Sequence, residues 1–245
     1  LNHLIINMEE SNMTTREIID TLRYMSVESM GAPEGVIVSR AVWEYGTLPE
    51  GNEKEELKKA IVDKAEQMKD KKAAVDGCEY PSAMNLLYAA YNLTGDETYK
   101  SVITGLEKSE TYMGLAFDMN YETMFGGKEH YHALTVRFAE LKKSDRNNEM
   151  QEALFMLALA DTIAAIAEPV YELYRSLVDM FRDELGQLID RAWEREGIMR
   201  KHISGEHVNI MADADAQSVM RLAVKKACAL KVVLAEKYQV YAEQM

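Results

Sequence analysis

The sequence predicts an all-α protein, an alpha/alpha toroid of the six-hairpin barrel type built from antiparallel helical hairpins, complete or short of its last member. Three observations carry that expectation. First, one pattern recurs three times: an apolar helix ending in an aromatic, a glycine turn, then an acidic start to a second helix. The copies are 35–45 before Gly51-Asn-Glu-Lys-Glu, 83–91 before Gly95-Asp-Glu-Thr-Tyr99, and 112–121 before Gly127-Lys-Glu-His-Tyr131. Second, small-residue apolar helices alternate with longer, one-sided ones, as a ring needs when inner helices touch several neighbours and outer helices face water. A superhelical array of the same hairpins is the competing arrangement, and it requires less contrast between the two helix types. Third, outside a short ribbon near 198–203, no alternating Val/Ile/Thr run bounded by turns appears.

The elements follow in order. Thr14 with Glu17 forms a capping box that opens an apolar-periodic helix through Ile18, Ile19, Leu22, Met25 and Met30, ended by Gly31-Ala-Pro33. The next pair is 34–45 and 53–71, the second helix apolar at Leu57, Ile61, Ala65 and Met68 and charged elsewhere. Two further hairpins span 80–93 with 96–108, and 111–125 with 128–142. In all three turns a left-handed glycine is expected to end one helix, with Asn52, Asp96 and Lys128 opening the next and acids filling the first turn. The fourth hairpin has an inner helix, 153–166, apolar on nearly every face and so expected to be buried all round. Pro169 then starts an amphipathic partner over 170–193. After a looser stretch at 194–212, a last pair is expected at 213–230 and 232–243. Residues 1–13 read as an N-terminal extension or remnant, with Met13 a natural starting point, and 14–245 as a single toroid domain.

The chain has 245 residues, 47% of them hydrophobic, which is enough for a substantial core. Its 28 Lys and Arg against 41 Asp and Glu leave a net charge of -13, so phosphate backbones and anionic membrane surfaces would repel it. Nucleic acid and membrane are therefore not expected partners. Cys78 and Cys228 stand far apart without metal-site spacing and read as buried thiols of a cytoplasmic protein, with neither a disulfide framework nor a zinc site. The apolar opening 1–8 is too short to span a bilayer and lacks the parts of an export signal. His130 and His132 diverge on a helix and would bind a metal only if extended or at a turn. No cofactor is expected, and Gly-x-Ser-x-Gly, His-Glu-x-x-His and Gly-rich phosphate-loop motifs are missing.

The segments Asp76-Gly-Cys-Glu-Tyr-Pro81-Ser-Ala-Met and Tyr91-Asn-Leu-Thr-Gly-Asp-Glu-Thr-Tyr99 resemble the unsaturated glucuronyl and rhamnogalacturonyl hydrolases, glycoside hydrolase families 88 and 105. Tyr112-Met-Gly-Leu, 121–131, Ala158-Leu-Ala-Asp-Thr162 and Ala214-Asp-Ala-Gln-Ser-Val-Met220 are similar to further family segments in the same order. The resemblance implies a six-hairpin toroid whose active site lies at the mouth formed by inner-helix N-termini. It implies a metal-free reaction in which an Asp hydrates the double bond of a 4,5-unsaturated uronyl residue. Asp76 falls on the first of the family's two active-site Asp positions. The chain departs from the family at Lys108-Ser-Glu-Thr111, where Leu-Asp-Gly and a long loop are expected, and at Met150-Gln-Glu-Ala-Leu154, where Arg-Gly-Asn-Gly-Trp is expected.

Within such a toroid Glu34, Asp76, Glu79, Glu110, Glu149, Glu152, Asp213 and Asp215 would all stand at one mouth. Sugar chemistry needs two carboxylates with separated pKa values, and Asp76 with Glu110 is the candidate catalytic pair. Tyr80, Tyr112, Glu79 and Asp213 are the candidate substrate contacts. An acid at a helix start is equally the ordinary capping residue, and an aromatic at helical spacing is ordinarily core. The charge of the mouth suits a small neutral oligosaccharide better than an anionic one, since only Arg40 and Arg146 lie near it in sequence. The rival is a catalytically inactive scaffold that binds a ligand or partner protein, which leaves room for a homo-oligomer burying the open side of an incomplete ring.

Overall fold

The structure, a computed structural model, describes residues 13–28, 30–70, 81–106, 111–142, 146, 148–166, 170–197 and 208–243. Among these residues the protein is all-α, with eleven α-helices and no strand. They are α1 (Thr15–Tyr24), α2 (Ala32–Thr47), α3 (Asn52–Asp70), α4 (Asn85–Thr94), α5 (Glu97–Thr104), α6 (Tyr112–Met124), α7 (Tyr131–Lys142), α8 (Glu149–Ala165), α9 (Tyr171–Arg195), α10 (Ala214–Ala229) and the short α11 (Ala235–Tyr238). A 3-10 turn at Pro81–Met84 leads directly into α4, and another at Gln239–Tyr241 follows α11.

The first helix starts where its residues demand. Thr14 Oγ1 accepts from the Glu17 amide at 3.3 Å while Glu17 accepts from the Thr14 amide at 2.6 Å, the two halves of a capping box. Its other end is closed from α3: Lys64, 2% exposed, donates to the carbonyls of Met25 at 2.5 Å and Arg23 at 3.3 Å, and to Gln67 Oε1 at 2.9 Å. A buried ammonium is tolerated there because helix C-terminal carbonyls carry negative charge and three acceptors surround it.

The helices sort by burial as well as by order. On α8, Ala153 through Ala160 are all buried, matching its lack of a polar face. On α9, Leu177, Phe181, Leu185, Leu188 and Ala192 are buried at helical spacing while most of the remaining residues face water. Helices α2, α4, α6, α8 and α10 contact one another in chain order, and α10 in turn contacts α2. They run parallel, because like ends meet. Near their N-termini, Tyr112 donates to the Gln151 carbonyl at 3.4 Å and the Asp213 amide donates to Glu149 Oε2 at 2.7 Å. At the C-terminal ends Thr123 Oγ1 donates to the Ala165 carbonyl at 2.6 Å. At the start of α2, a Cβ placed on Gly35 would fall 2.0 Å from Ser82 Oγ, so any larger residue there would have to displace that hydroxyl from the Pro81–Met84 turn.

Two apolar clusters result. One gathers the buried residues of α1 to α5 with Phe117 of α6, the other those of α6 to α10 with Val36 of α2. Helix α2 belongs to both, since Ile37, Val38 and Ala41 pack into the first while Val36 packs into the second.

Four local expectations are corrected. The first helix ends at Tyr24, so Met25 and Met30 lie beyond it. Gly51 lies outside the left-handed region, which among the described glycines holds Gly95 (φ 69°), Gly127 (φ 73°) and Gly197 (φ 68°); α2 instead ends on extended Leu48. Lys128 does not open a helix: it too is left-handed (φ 72°), and α7 begins three residues later. The buried Glu122 carboxylate stabilises that turn by accepting from the His130 amide at 3.4 Å and pairing with His130 Nδ1 at 2.8 Å. Finally, 232–243 does not form one helix. Left-handed Lys231 (φ 58°) turns the chain so that Val232 and Val233 bury their side chains in the second cluster, and only the short α11 and a 3-10 turn follow.

Candidate functional site

The N-termini of α6, α8 and α10 gather at one end, and the described acids there are already engaged. Asp213 caps α10 by accepting from the Ala216 amide at 2.8 Å. Glu149 accepts from the Asp213 amide at 2.7 Å and pairs with Arg195 at 3.3 Å, while Glu152 pairs with Arg191 at 2.6 Å. Arg195 also donates to the Asn209 carbonyl at 2.7 Å, tying the entrance of α10 to the end of α9. Glu34 turns back to the Gly31 amide at 2.8 Å. Tyr112 meets Phe155 edge-on, ring centroids 5.5 Å apart. Four of the expected site residues, Asp76, Glu79, Tyr80 and Glu110, lie outside the described residues, as do Cys78, His202, His207 and the ribbon expected near 198–203.

A second polar assembly lies where α2, α8 and α10 face one another. Lys226 donates to Asp161 Oδ1 at 2.5 Å, Ser39 Oγ at 2.5 Å and the Ser39 carbonyl at 3.1 Å. Ser39 Oγ donates in turn to Asp161 Oδ2 at 2.7 Å. The Trp43 ring lies one turn further along α2, its centroid 5.9 Å from the ammonium. The Lys226 side chain is 6% exposed and that of Asp161 18%, so the carboxylate alone keeps a path to solvent. Each of the three ammonium donors has an acceptor, and both carboxylate oxygens are used. Ser39 is held by Lys226 and Asp161 at once. The assembly can orient or neutralise, and it joins three helices.

These residues were not singled out as a site in the sequence. The available signal was an ionisable residue inside an otherwise apolar run, Asp161 after Leu157-Ala-Leu-Ala160 and Lys226 before Ala227-Cys-Ala229. Elsewhere in the interior, Asn120 donates to Asn85 at 2.9 Å and the Tyr88 hydroxyl to the Phe117 carbonyl at 3.1 Å. Burial, then the charge of Asp118, pushes the Tyr88 hydroxyl well above the ordinary tyrosine value, so it remains a donor. Burial likewise raises the thiol of half-buried Cys228.

Among the described residues no group of three or more His, Cys, Asp or Glu side chains could hold a metal, and no helix is long and apolar enough to cross a membrane. His130 stands just before α7 and His132 within it, the first turned to Glu122. No family model, curated protein or solved structure matches the chain.

Proposed function

We propose that the chain is a helical toroid of glycoside-hydrolase type that binds a small oligosaccharide at the end where inner-helix N-termini gather, and that the described rim acids serve its architecture rather than acid/base chemistry. The parallel order of α2, α4, α6, α8 and α10, with α10 meeting α2, supports the toroid. The observation that carries the binding role over hydrolysis is the state of the rim. Asp213 is spent as a helix cap, and Glu149 and Glu152 are spent on Arg195 and Arg191. A general acid needs a carboxyl turned to its substrate, whereas these are turned to a helix end and to two arginines.

Hydrolysis is the second reading, and it falls to Asp76 and Glu110, which precede the Pro81–Met84 turn and α6 in sequence. One experiment separates the two. The protein is titrated calorimetrically with neutral and 4,5-unsaturated disaccharides while turnover of the unsaturated bond is followed by absorbance. Saturable binding without turnover is the expected result. Turnover that disappears in Asp76→Asn would replace the binding role with the hydrolase, and neither binding nor turnover would remove both and leave a protein-binding scaffold.

A further inference from the structure

Four inner helices each bring one polar side chain to a single level of the molecule. The close approach of Gly35 and Ser82 sets α2 beside the turn that leads into α4; Ser39 lies four residues beyond Gly35 and Asn85 three beyond Ser82. At helical rises of about 1.5 to 2 Å per residue, both steps descend about 5 to 6 Å. The bond from Thr123 to the Ala165 carbonyl sets α6 against α8 in the same way, with Asn120 three residues before the first and Asp161 four before the second. Hydrogen bonds join the remaining sides. Asn120 donates to Asn85 at 2.9 Å between α6 and α4, and Ser39 to Asp161 at 2.7 Å between α2 and α8. Ser39, Asn85, Asn120 and Asp161 thus form a circuit from α2 through α4, α6 and α8 back to α2, with Lys226 of α10 held on its α2–α8 side.

Two properties distinguish this circuit from a pin that only ties helices together. Asn85, Asn120 and Asp161 are half-buried, whereas Met84, Leu86, Met119, Ala160 and Thr162 beside them in sequence are buried, so water reaches the inner helices at this level. The polar groups are also under-used. Asn120 gives one amide hydrogen to Asn85, and Asn85 gives one to the Ser82 carbonyl at 3.1 Å. The Asn120 carbonyl and the second hydrogen of each amide have no partner among the described residues. Ser82 Oγ, three residues before Asn85, is buried and unpartnered as well. Unmatched polar groups inside a protein cost free energy, which a ligand's hydrogen bonds would recover. Lys226 balances Asp161, so the circuit offers hydrogen bonds and little net charge. Amide donors beside an amide acceptor suit hydroxyl groups, which donate and accept at once, and a neutral polyhydroxyl ring supplies several of them.

We propose that Asn85 and Asn120 bind the hydroxyl groups of a neutral sugar unit, the end unit of the oligosaccharide, at this level about two turns inside the N-terminal end of α6. The inference rests on the oligosaccharide reading of the rim and adds to it the residues that hold the innermost sugar.

The test titrates the purified chain and its Asn120→Leu and Asn120→Ser variants calorimetrically with maltose, cellobiose and lactose, and records the melting midpoint of each protein without sugar. The wild type binds at least one disaccharide saturably. Both variants bind that sugar at least about tenfold more weakly, the loss expected when two hydrogen bonds to the ligand disappear. The matching monosaccharide, glucose or galactose, displaces the disaccharide from the wild type, because a single ring fills the circuit. Disaccharide binding that both variants keep overturns the inference and leaves the rim reading standing; a lowered melting midpoint with unchanged affinity would then make Asn120 a structural residue. Wild type that binds none of the three disaccharides overturns the inference together with the rim reading. If Asn120→Leu does not fold, the Asn120→Ser titration decides alone.

Discussion

The interior pair Asp161–Lys226 and the rim pair Glu152–Arg191 bring opposite charges equally close, at 2.5 and 2.6 Å. The surroundings of their cations are opposite, while the carboxylates are 17% and 18% exposed. The lysine side chain of the first is 6% exposed and the arginine of the second 57%. Contact distance therefore does not rank the two. In the interior the lysine has left water and depends on its carboxylate, so the pair is a requirement of the cation more than a gain. At the rim the arginine stands in water, which can take over from Glu152, and the interaction is largely redundant.

The sharpest way to break this comparison is to remove one interior partner. Lys226→Met keeps the length of the side chain but leaves Asp161 and Ser39 without their cation. A loss of about 3 kcal/mol is expected, typical of a stranded buried charge. Urea unfolding reads it as a lower midpoint at unchanged slope. A loss near zero would mean that the 18% exposure of Asp161 lets water replace the lysine, and the interior pair would then be no different from the rim.

Removing both interior charges should undo most of that damage. Lys226→Met with Asp161→Leu exchanges a paired ion site for apolar volume, and it should unfold within about 1 kcal/mol of the wild type. The recovery is the coupling energy of a double-mutant cycle, because the two side chains touch. If the double variant is as weak as the single one, packing around Lys226 and Trp43 explains the loss and charge does not.

How much of this was legible in advance depends on how far a signal travels along the chain. The Thr14 and Glu17 box, the Asp96 and Asp213 caps and the all-round burial of 153–160 are set within a turn or two, and the sequence expresses them directly. The interior trio is set by tertiary packing. Ser39 and Lys226 are separated by 187 residues, and nothing local distinguishes Lys226 from exposed Lys225 except its phase on α10. Gly51 and Lys128 fail for a related reason. A turn's conformation is fixed by what receives its polar groups, and the buried carboxylate of Glu122 that receives the His130 amide is known only once α6 and the turn are placed together. The rim acids read as caps ahead of catalysts, and their partners Arg191, Arg195 and the Ala216 amide agree with that order.

At the rim the expected effects are smaller. Asp213→Ala removes the α10 cap and should cost about 1 kcal/mol, with Asp213→Asn recovering most of it, since capping needs an acceptor rather than a charge. A much larger loss from the Asn variant would show that the negative charge at the α10 N-terminus matters beyond the cap. Arg191→Ala should cost below about 0.5 kcal/mol, and 0.5 M salt should erase the difference.

The smallest effect lies in the pH dependence of the cluster that Glu66 and Lys69 of α3 form with Tyr99 of α5. Hydrogen bonds from Lys69 and then Tyr99 hold the Glu66 carboxyl below its ordinary value of 4.5. A carboxyl whose pKa is lower folded than unfolded binds protons more readily in the unfolded chain. Its contribution is therefore complete above pH 4.5 and drains away as pH falls through the lower folded value. The wild type should lose stability on acidification slightly more steeply in that window than Glu66→Gln, while the two converge in slope at neutral pH. The Glu66 side chain is 42% exposed, so solvent screens the effect and precise midpoints at closely spaced pH values are needed to see it. Identical acid slopes would place Glu66 with the redundant rim pairs. A steep difference would place it with Asp161, where a partner's charge is needed and not merely tolerated.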